Sequence, residues 1–541
     1  MTTASPSLID PPPPGPANAA VASKLDKKPG RWANGIFAAV LVIGTVYAAS
    51  QLVADLATVH STSIFPFVIL GVALLVALGF EFVNGFHDTA NAVATVIYTH
   101  TLEPHAAVVW SGVWNFIGVL VSSGAVAFGI ISLLPVELIL QVGSGSGFAM
   151  VFALLAAAII WNLGTWYFGL PSSSSHTMVG SIIGVGIANQ LMSGSSNTSG
   201  VDWGQAANIG KSLLISPVVG FVCAALLLLI VKKLVPNKKL YEAPAGTEPP
   251  PFFIRALLLL TCTGVSFAHG SNDGQKGMGL IMLILVGTVP TAYALNHAVS
   301  PRDMQDMIAV SYQSADTFNR YDAEHATVQD PRAELRSYIR ERKLAATTVP
   351  ALAEMSKGVA DDLKNFKQLK DVPPEQTRNF RNDLYLVGES LRLMEKTGIP
   401  EFAPEDKATL KNYKKHIDQS TKFIPPWVKI AVAIALGLGT MVGWKRIVVT
   451  VGEKIGKDHL TYAQGAAAEI TAMVTIGAAD AFGLPVSTTH VLSSGVAGTM
   501  AANHSGLQWS TCRNLIMAWV LTLPVSITLS ACLFWLFCRF T

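Results

Sequence analysis

The sequence predicts an all-α polytopic membrane protein, built from two copies of one unit with broken or re-entrant helices, plus a soluble helical insertion. Of its 541 residues, 51% are hydrophobic and only 13% are charged, whereas soluble proteins contain about 25% charged residues. Two polar motifs each occur twice. Charge is concentrated between Pro301 and Ile424, which hold 20 of the 38 basic and 20 of the 35 acidic residues.

Hydropathy and charge divide the chain into segments. Residues 1–35 form a Pro-rich tail with a basic cluster, predicted to be disordered and cytoplasmic. Residues 36–57 are long enough for an extra N-terminal transmembrane helix, and a signal peptide is the alternative. The other segments are a first membrane repeat at 64–235, a linker at 236–251, a second membrane repeat at 252–300 and 425–541, and the insertion at 301–424.

The insertion has apolar residues at helical spacing, with a proline near several helix starts, which predicts a small helical bundle. A mobile linker is the alternative. In the membrane part we expect about 11–13 embedded segments at roughly 20 residues per span.

The first motif places ionisable side chains in membrane-length apolar segments. Phe82–Asn91 reads F-V-N-G-F-H-D-T-A-N, and Phe267–Lys276 reads F-A-H-G-S-N-D-G-Q-K. In register, Asp88 matches Asp273, and a glycine three residues before each aspartate marks an expected helix break. Ionisable groups at membrane depth cost roughly 2.5–3.5 kcal/mol, so they usually face a cavity or a substrate.

Two carboxylates beside an anion would repel it unless a cation lies between them. We therefore predict that Asp88 and Asp273 hold a coupling cation. The alternative is that each aspartate caps a broken helix. Neutral partners that could complete the cation site are Asn84, His87 and Asn272. Lys276 stands where the first copy has Asn91, and both are candidate substrate contacts. Alternatively, Asn91 supplies a further ligand of the cation, and Lys276 offsets the charge of a carboxylate.

The second motif predicts an anion site. Gly169–His176 reads G-L-P-S-S-S-S-H, and Gly483–His490 reads G-L-P-V-S-T-T-H. Proline favours the first turn of a helix, and the free N–H groups and dipole at a helix start attract anions. The alternative is that the hydroxyls cap helices and pack against neighbours. The candidate substrate contacts are Ser173, Ser174, Ser175, Ser487, Thr488 and Thr489.

Four other ionisable residues are candidates for a proton relay: Glu81, Glu469, His176 and His490. The glutamates fall in apolar spans without a counterpart in the other copy. For the histidines, which end the second motifs, hydrogen-bonded packing is the alternative. The five cysteines show no spacing typical of metal ligands or disulfides. The net charge of +3 does not indicate a nucleic-acid-binding surface.

Together these motifs resemble the inorganic phosphate transporter (PiT) family, and most closely its bacterial low-affinity Pit-type permeases. The resemblance rests on N-G-F-H-D-T-A-N at 84–91, H-G-S-N-D-G-Q-K at 269–276 and both G-L-P stretches. It implies two inverted repeats, a homodimer in the lipid bilayer of a bacterial-type inner membrane, and a cytoplasmic central insertion. It also implies import of inorganic phosphate by cation symport, without a resident cofactor and without enzymatic activity.

By this resemblance, the hydroxyls of both G-L-P motifs would bind phosphate, and Asp88 and Asp273 would lie at the cation and substrate site. The family resemblance implies coupling to H⁺, with phosphate carried alone or as a neutral complex with Mg²⁺ or another divalent metal. Sodium-coupled relatives have G-A-N-D where this chain has G-F-H-D. His87 therefore argues against a carried-over Na⁺ site, although a sodium-coupled phosphate transporter stays an alternative.

Two rival functions remain at this point. A sulfate permease of the same architecture would use the same hydroxyls, because both anions are tetrahedral. Hydrogen phosphate differs in that it can donate a hydrogen bond to a carboxylate. A membrane-embedded hydrolase that uses His and Asp is less compatible with the sequence, because catalysis needs unlike roles while this chain repeats one role twice.

Overall fold

The computed structural model describes residues 21, 24–25, 30–57, 64–88, 90–140, 145–193, 200–244, 248–322 and 326–540. Within these ranges, the side chains of residues 65–66, 90–91 and 136–137 are not described. Most of the predicted tail and the Asn91 side chain therefore lie outside the described part.

The N-terminal half of the described chain is a succession of helices, most of them apolar. They are α1 (Arg31–Leu56), α2 (Phe65–Asp88), α3 (Ala90–Tyr98), α4 (Pro104–Val121), α5 (Ala125–Ile131), α6 (Val136–Leu140), α7 (Gly145–Tyr167), α8 (Ser174–Ser193) and α9 (Trp203–Leu234).

The second half begins with α10, crosses the insertion and returns to the membrane bundle. Its helices are α10 (Phe252–Thr288), α11 (Pro290–Tyr293), α12 (Pro301–Arg320), α13 (Pro331–Glu341), α14 (Thr348–Leu363), α15 (Pro374–Thr397), α16 (Pro404–Thr421), α17 (Pro426–Gly439), α18 (Lys445–Val449), α19 (Tyr462–Ala481), α20 (Thr488–Ala502) and α21 (Trp509–Phe537). The predicted all-α class is confirmed, since the described ranges contain no β-strand.

Seven stretches of the described chain are long and apolar enough to cross a membrane: α1, α2 with α3, α4, α7, α9, α10 and α21. The less apolar helices α8 and α19 and the shorter helices α17 and α20 pack among them. The chain is therefore a multi-pass membrane protein.

The two copies interlock. Helix α2 of the first copy packs on α17 of the second, and the equivalent α10 packs on α4 of the first. In the same way α8 packs on α21, and α20 packs on α9. Each motif-bearing helix is thus supported by the other copy.

The motif glycines serve close helix packing. A Cβ built on Gly270 would lie 2.1 Å from the Asn115 carbonyl oxygen, and one on Gly85 would lie 2.3 Å from that of Leu436. The expected breaks at Gly85 and Gly270 are wrong, because α2 and α10 run unbroken through them. Small residues of this kind allow membrane helices to approach closely.

The insertion forms a helical bundle, α12–α16, with its own apolar core. Caps and ion pairs define its helices; for example, Asp330 Oδ1 accepts from Ala333 N at 3.0 Å. The bundle is fastened to one end of the membrane domain. Arg342 Nη2 and Arg392 Nη2 lie 3.0 and 2.9 Å from the carboxylate oxygens of Asp202, which caps α9.

Helix α1 connects the two ends of the membrane domain. At its last turn Asp55 accepts a hydrogen bond of 2.5 Å from Tyr293, near the insertion. Its first turn lines a groove with His105 and Trp444 at the other end. The N-terminal tail and the insertion therefore attach to opposite ends of the membrane domain. If α1 spans the membrane, they lie on opposite sides, and which of the two is cytoplasmic stays a prediction.

Candidate functional site

The two motif pairs meet in the interior of the bundle. Asp88 ends α2, Asp273 lies in the middle of α10, and Ser174 begins α8. Ser174 Oγ lies 3.0 Å from Asp88 Oδ2 and 3.1 Å from Asp273 Oδ2. Because a hydroxyl carries one proton, it can donate to only one of these carboxylates at a time.

Lys276 is the basic member of this cluster. Its Nζ lies 2.6 Å from Asp273 Oδ2, one turn earlier on α10, and 3.1 Å from Ser174 Oγ. The lysine and aspartate side chains are 0% and 1% exposed. With neutral histidines, the two carboxylates and one ammonium leave the cluster with a net charge of −1, so a cation or a proton would balance it.

His269 faces both carboxylates. Its Nδ1 lies 2.8 Å from Asn115 Oδ1, and with the amide in this orientation Nδ1 must carry the proton. Nε2 lies 3.5 Å from Asp273 Oδ2 and 3.9 Å from Asp88 Oδ2, and it faces them with a lone pair in the neutral ring or with an N–H in the protonated ring. The ligand atoms of Asp88, His269 and Asp273 lie within 4.8 Å of one another, close enough to share one cation.

Some hydroxyls of the two G-L-P motifs contact the carboxylates, whereas others bond to the backbone. Thr489 Oγ1 donates to Asp88 Oδ1, so α8 and α20 both contact this carboxylate. Ser173 and Ser487 instead accept from backbone N–H groups three residues ahead, at 3.2 and 3.1 Å. Of the other predicted contacts, Ser175 donates to the Val486 carbonyl at 2.7 Å, and Thr488 is buried.

These short helices begin three residues after their prolines, so the prediction that proline occupies the first turn is wrong. Gly169 and Gly483, which open the two motifs, have φ values of +66° and +64°. This left-handed conformation favours glycine and reverses the chain after α7 and after α19.

His87 and Asn272 occupy equivalent positions of the first motif, and each forms hydrogen bonds to a G-L-P segment. His87 Nε2 lies 3.2 Å from Thr165 Oγ1 and 3.3 Å from Ser172 Oγ. Asn272 Nδ2 donates to the Leu484 carbonyl at 3.1 Å, and its Oδ1 accepts from Val486 N at 3.5 Å. The geometry therefore gives these two residues a positioning role.

The candidate relay residues lie in three different environments. Glu81 packs on the bare Cα of Gly277, and Asn84 Nδ2 approaches its Oε2 at 3.4 Å. Glu469 receives hydrogen bonds from Thr95 and Thr261, away from the aspartates. The remaining two, His176 and His490, contact each other, with ring centroids 4.6 Å apart and ring planes tilted by 39°.

Several buried polar atoms around the cluster lack a hydrogen-bond partner among the described residues: Glu81 Oε1, Asn84 Oδ1, His269 Nε2 and Asp273 Oδ1. An unsatisfied buried polar group costs about 1–3 kcal/mol. A ligand that supplies hydrogen-bond donors or positive charge would recover this cost, so these atoms suit a cation, a proton or an anion that itself donates a hydrogen bond.

Sequence reasoning did not assign roles to His269, Asn115, Gln275 or Asp480. His269 stands in the repeated motif opposite Asn84, so the repeat register was an available signal. Gln275 and Asp480 bond each other at 2.6 Å beside the cluster. Asn115 lies in an apolar helix without a local signal.

Comparison with known proteins identifies the family of this chain. The sequence matches the Phosphate transporter family over residues 84–530. This chain belongs to the phosphate transporter family. It is 41% identical to the low-affinity inorganic phosphate transporter PitA of Escherichia coli K12 over 501 residues, which cover 87% of this chain and 97% of that protein. Family membership confirms the prediction of a transporter rather than an enzyme.

Other relatives share this coverage. The low-affinity inorganic phosphate transporter of Buchnera aphidicola from Acyrthosiphon pisum is 39% identical over 88% of this chain and 97% of its own length. A solved structure titled the sodium-dependent phosphate transporter aligns with 88% of this chain and all of its own, at 20% identity and a TM-score of 0.48.

Proposed function

We propose that this member of the phosphate transporter family imports inorganic phosphate by proton symport through the Asp88–Asp273 cluster. The observation that carries the proposal is the buried junction of both motif pairs, where Lys276 and the Ser174 and Thr489 hydroxyls surround two carboxylates. Lys276 supplies the charge for an anion, and the carboxylates accept the hydrogen bond that hydrogen phosphate can donate. Sulfate, which is fully ionised, offers no such donor.

The ligand atoms of Asp88, His269 and Asp273 favour a proton over Na⁺. Hard cations such as Na⁺ prefer oxygen ligands, whereas the cluster presents an imidazole nitrogen between its carboxylates. An imidazole and two carboxylates can share a proton. The same ligand set also suits a divalent metal, so transport of a metal–phosphate complex is the second candidate.

The test is uptake of radiolabelled phosphate into proteoliposomes, driven by an imposed proton or Na⁺ gradient, with and without Mg²⁺ and excess sulfate. We expect proton-driven uptake that sulfate does not block. Asp88→Asn should abolish it, while Asp316→Asn, a matched change at an exposed residue of the insertion, should not. Inhibition by sulfate, or dependence on Na⁺, would reject the corresponding part of the proposal. A requirement for Mg²⁺ would favour the metal–phosphate complex.

A further inference from the structure

The two ends of the membrane domain differ in charge. Apart from the insertion, the connections between helices are short at both ends. At the end opposite the insertion, the described basic residues outnumber the acidic residues Glu103, Glu242, Glu248, Glu453 and Asp458. The basic residues there are Lys24, Arg31, Lys232, Lys233, Lys238, Lys239, Arg255, Lys445, Arg446, Lys454, Lys457 and Arg513. Short loops rich in Lys and Arg stay in the cytoplasm, whereas long domains cross the membrane largely regardless of charge. This bias places the insertion outside the cytoplasm.

A cavity of about 690 Å³ lies where the insertion meets the membrane domain. Its walls include Ser123, Ala125 and Phe128 from the start of α5 and its preceding loop, and four lysines on one face of α16 and just beyond it. The lysines are Lys411, Lys414, Lys415 and Lys422.

The charges of this cavity are only partly paired. Lys414 and Lys422 lie 3.3 and 2.7 Å from Asp418. Lys411 and Lys415 are exposed, and neither forms an ion pair within the part of the chain that the structure describes. Glu395 is the other acidic lining residue, so the four lysines and two acids leave the cavity with a net positive charge.

One short helix separates this cavity from the transport site. Ala125 abuts Gly483, because a Cβ on that glycine would lie 3.1 Å from Ala125 Cβ. The next residue, Val126, donates its N–H to Gln275 Oε1 at 2.9 Å. Gln275 directly precedes Lys276, so α5 lies between the cavity and the aspartate cluster.

We propose that this cavity is an extracytoplasmic anion site that collects inorganic phosphate before it reaches the Asp88–Asp273 cluster. The proposal rests on the proposed function. Basic clefts with low-dielectric walls concentrate anions and raise association rates by about 10–10³-fold, an effect that falls with ionic strength. The insertion thereby supplies positive charge at the entrance, outside the membrane.

The kinetic test uses right-side-out vesicles that contain the full chain. We expect Lys411→Gln/Lys415→Gln to raise the KM for phosphate about tenfold, the low end of the range for such clefts. Vmax should stay unchanged, and the rise of KM with salt should flatten. Lys357→Gln/Lys367→Gln, with the same charge change on exposed residues outside this cavity, should behave like the unmodified protein.

An unchanged KM and salt dependence in the Lys411/Lys415 variant would overturn the proposal. Absence of phosphate uptake by the unmodified protein would instead reject the proposed function, so the two failures are distinguishable.

The position of the insertion is tested with a membrane-impermeant maleimide on intact cells. The insertion contains no cysteine, and Lys357 and Lys239 are exposed on the insertion and on the linker. We expect Lys357→Cys to be labelled in intact cells, and Lys239→Cys only after permeabilisation, each above the background of the unmodified protein. The reverse pattern would place the insertion in the cytoplasm and overturn the proposal.

Discussion

The ion pair between Lys276 and Asp273 allows a test that separates folding from transport. Lys276→Met removes the ammonium and leaves the Asp273 carboxylate buried beside Ser174. Asp273→Asn leaves the ammonium without its 2.6 Å partner. The double variant Lys276→Met/Asp273→Asn removes both charges and keeps the side-chain volumes nearly constant.

The expected magnitudes follow from burial. Both side chains are at most 1% exposed, so solvent does not screen the charge that remains in either single variant. Removal of one partner from a buried pair costs about 3–5 kcal/mol, whereas replacement of both by neutral groups of similar volume is often nearly neutral. We therefore expect each single variant to be markedly destabilised and the double variant to recover most of the loss.

Thermal unfolding in detergent, followed by size-exclusion chromatography, measures stability, and uptake by reconstituted protein measures transport. The double variant should unfold near the temperature of the unmodified protein but should transport no phosphate, because it lacks the ammonium and one carboxylate of the site. Equal stability of the two single variants and the unmodified protein would refute the reasoning on burial. Normal transport by the double variant would refute the role of the pair in the site.

Three further predictions concern other parts of the molecule. Glu81→Gln should abolish the response of uptake to an imposed pH gradient, because Glu81 Oε1 lacks a partner among the described residues. Glu469→Gln should keep the response, because two threonines hold the carboxylate of Glu469. Equal responses of the two variants would contradict this difference. Gly270→Ala should reduce the yield of folded protein, because the new Cβ would meet a backbone carbonyl at 2.1 Å. Gly79→Ala should not, because nothing lies within 4 Å of a Cβ at that position. Size-exclusion chromatography of both variants checks this. Burial raises the pKa of Asp202, but hydrogen bonding and the insertion's arginines outweigh it and lower this pKa. The contribution of Asp202 to stability should therefore be present above the unfolded pKa of about 3.9 and should be lost as pH falls through the lower folded value. Limited proteolysis of the insertion between pH 7 and pH 2 should show this loss, and Asp202→Asn should weaken the pH dependence.

The sequence predicted which residues form the site better than it predicted how they are arranged. Asp88, Asp273 and the hydroxyl motifs could be found because each occurs in a repeated pattern that needs no knowledge of packing. The sequence also offered Lys276 as a residue that offsets a carboxylate, but not its distance from Asp273, because the expected break at Gly270 left the helical register of residues 273–276 undefined. On the continuous helix α10 they are one turn apart and form a pair.

The motif glycines explain this difference. A glycine in an apolar segment is compatible with a helix break or with a close helix crossing, and the two cannot be distinguished without the partner helix. At Gly270 the partner is α4, whose carbonyl oxygen occupies the position of a side chain. The contact of His269 with Asn115 depends on the same crossing, so it could not be derived from either segment alone.

The interlocking of the two copies also constrains how the protein is made. Helix α8, which carries Ser174, rests on α21, and more than 300 residues separate their starts. At about 5–20 residues per second, the ribosome needs roughly 20–70 s to make the intervening chain. For that time the hydroxyl-rich start of α8 lacks its final support. Biogenesis of this transporter therefore requires that the membrane-insertion machinery, or a temporary partner within the nascent chain, shelter the first half of the site from lipid.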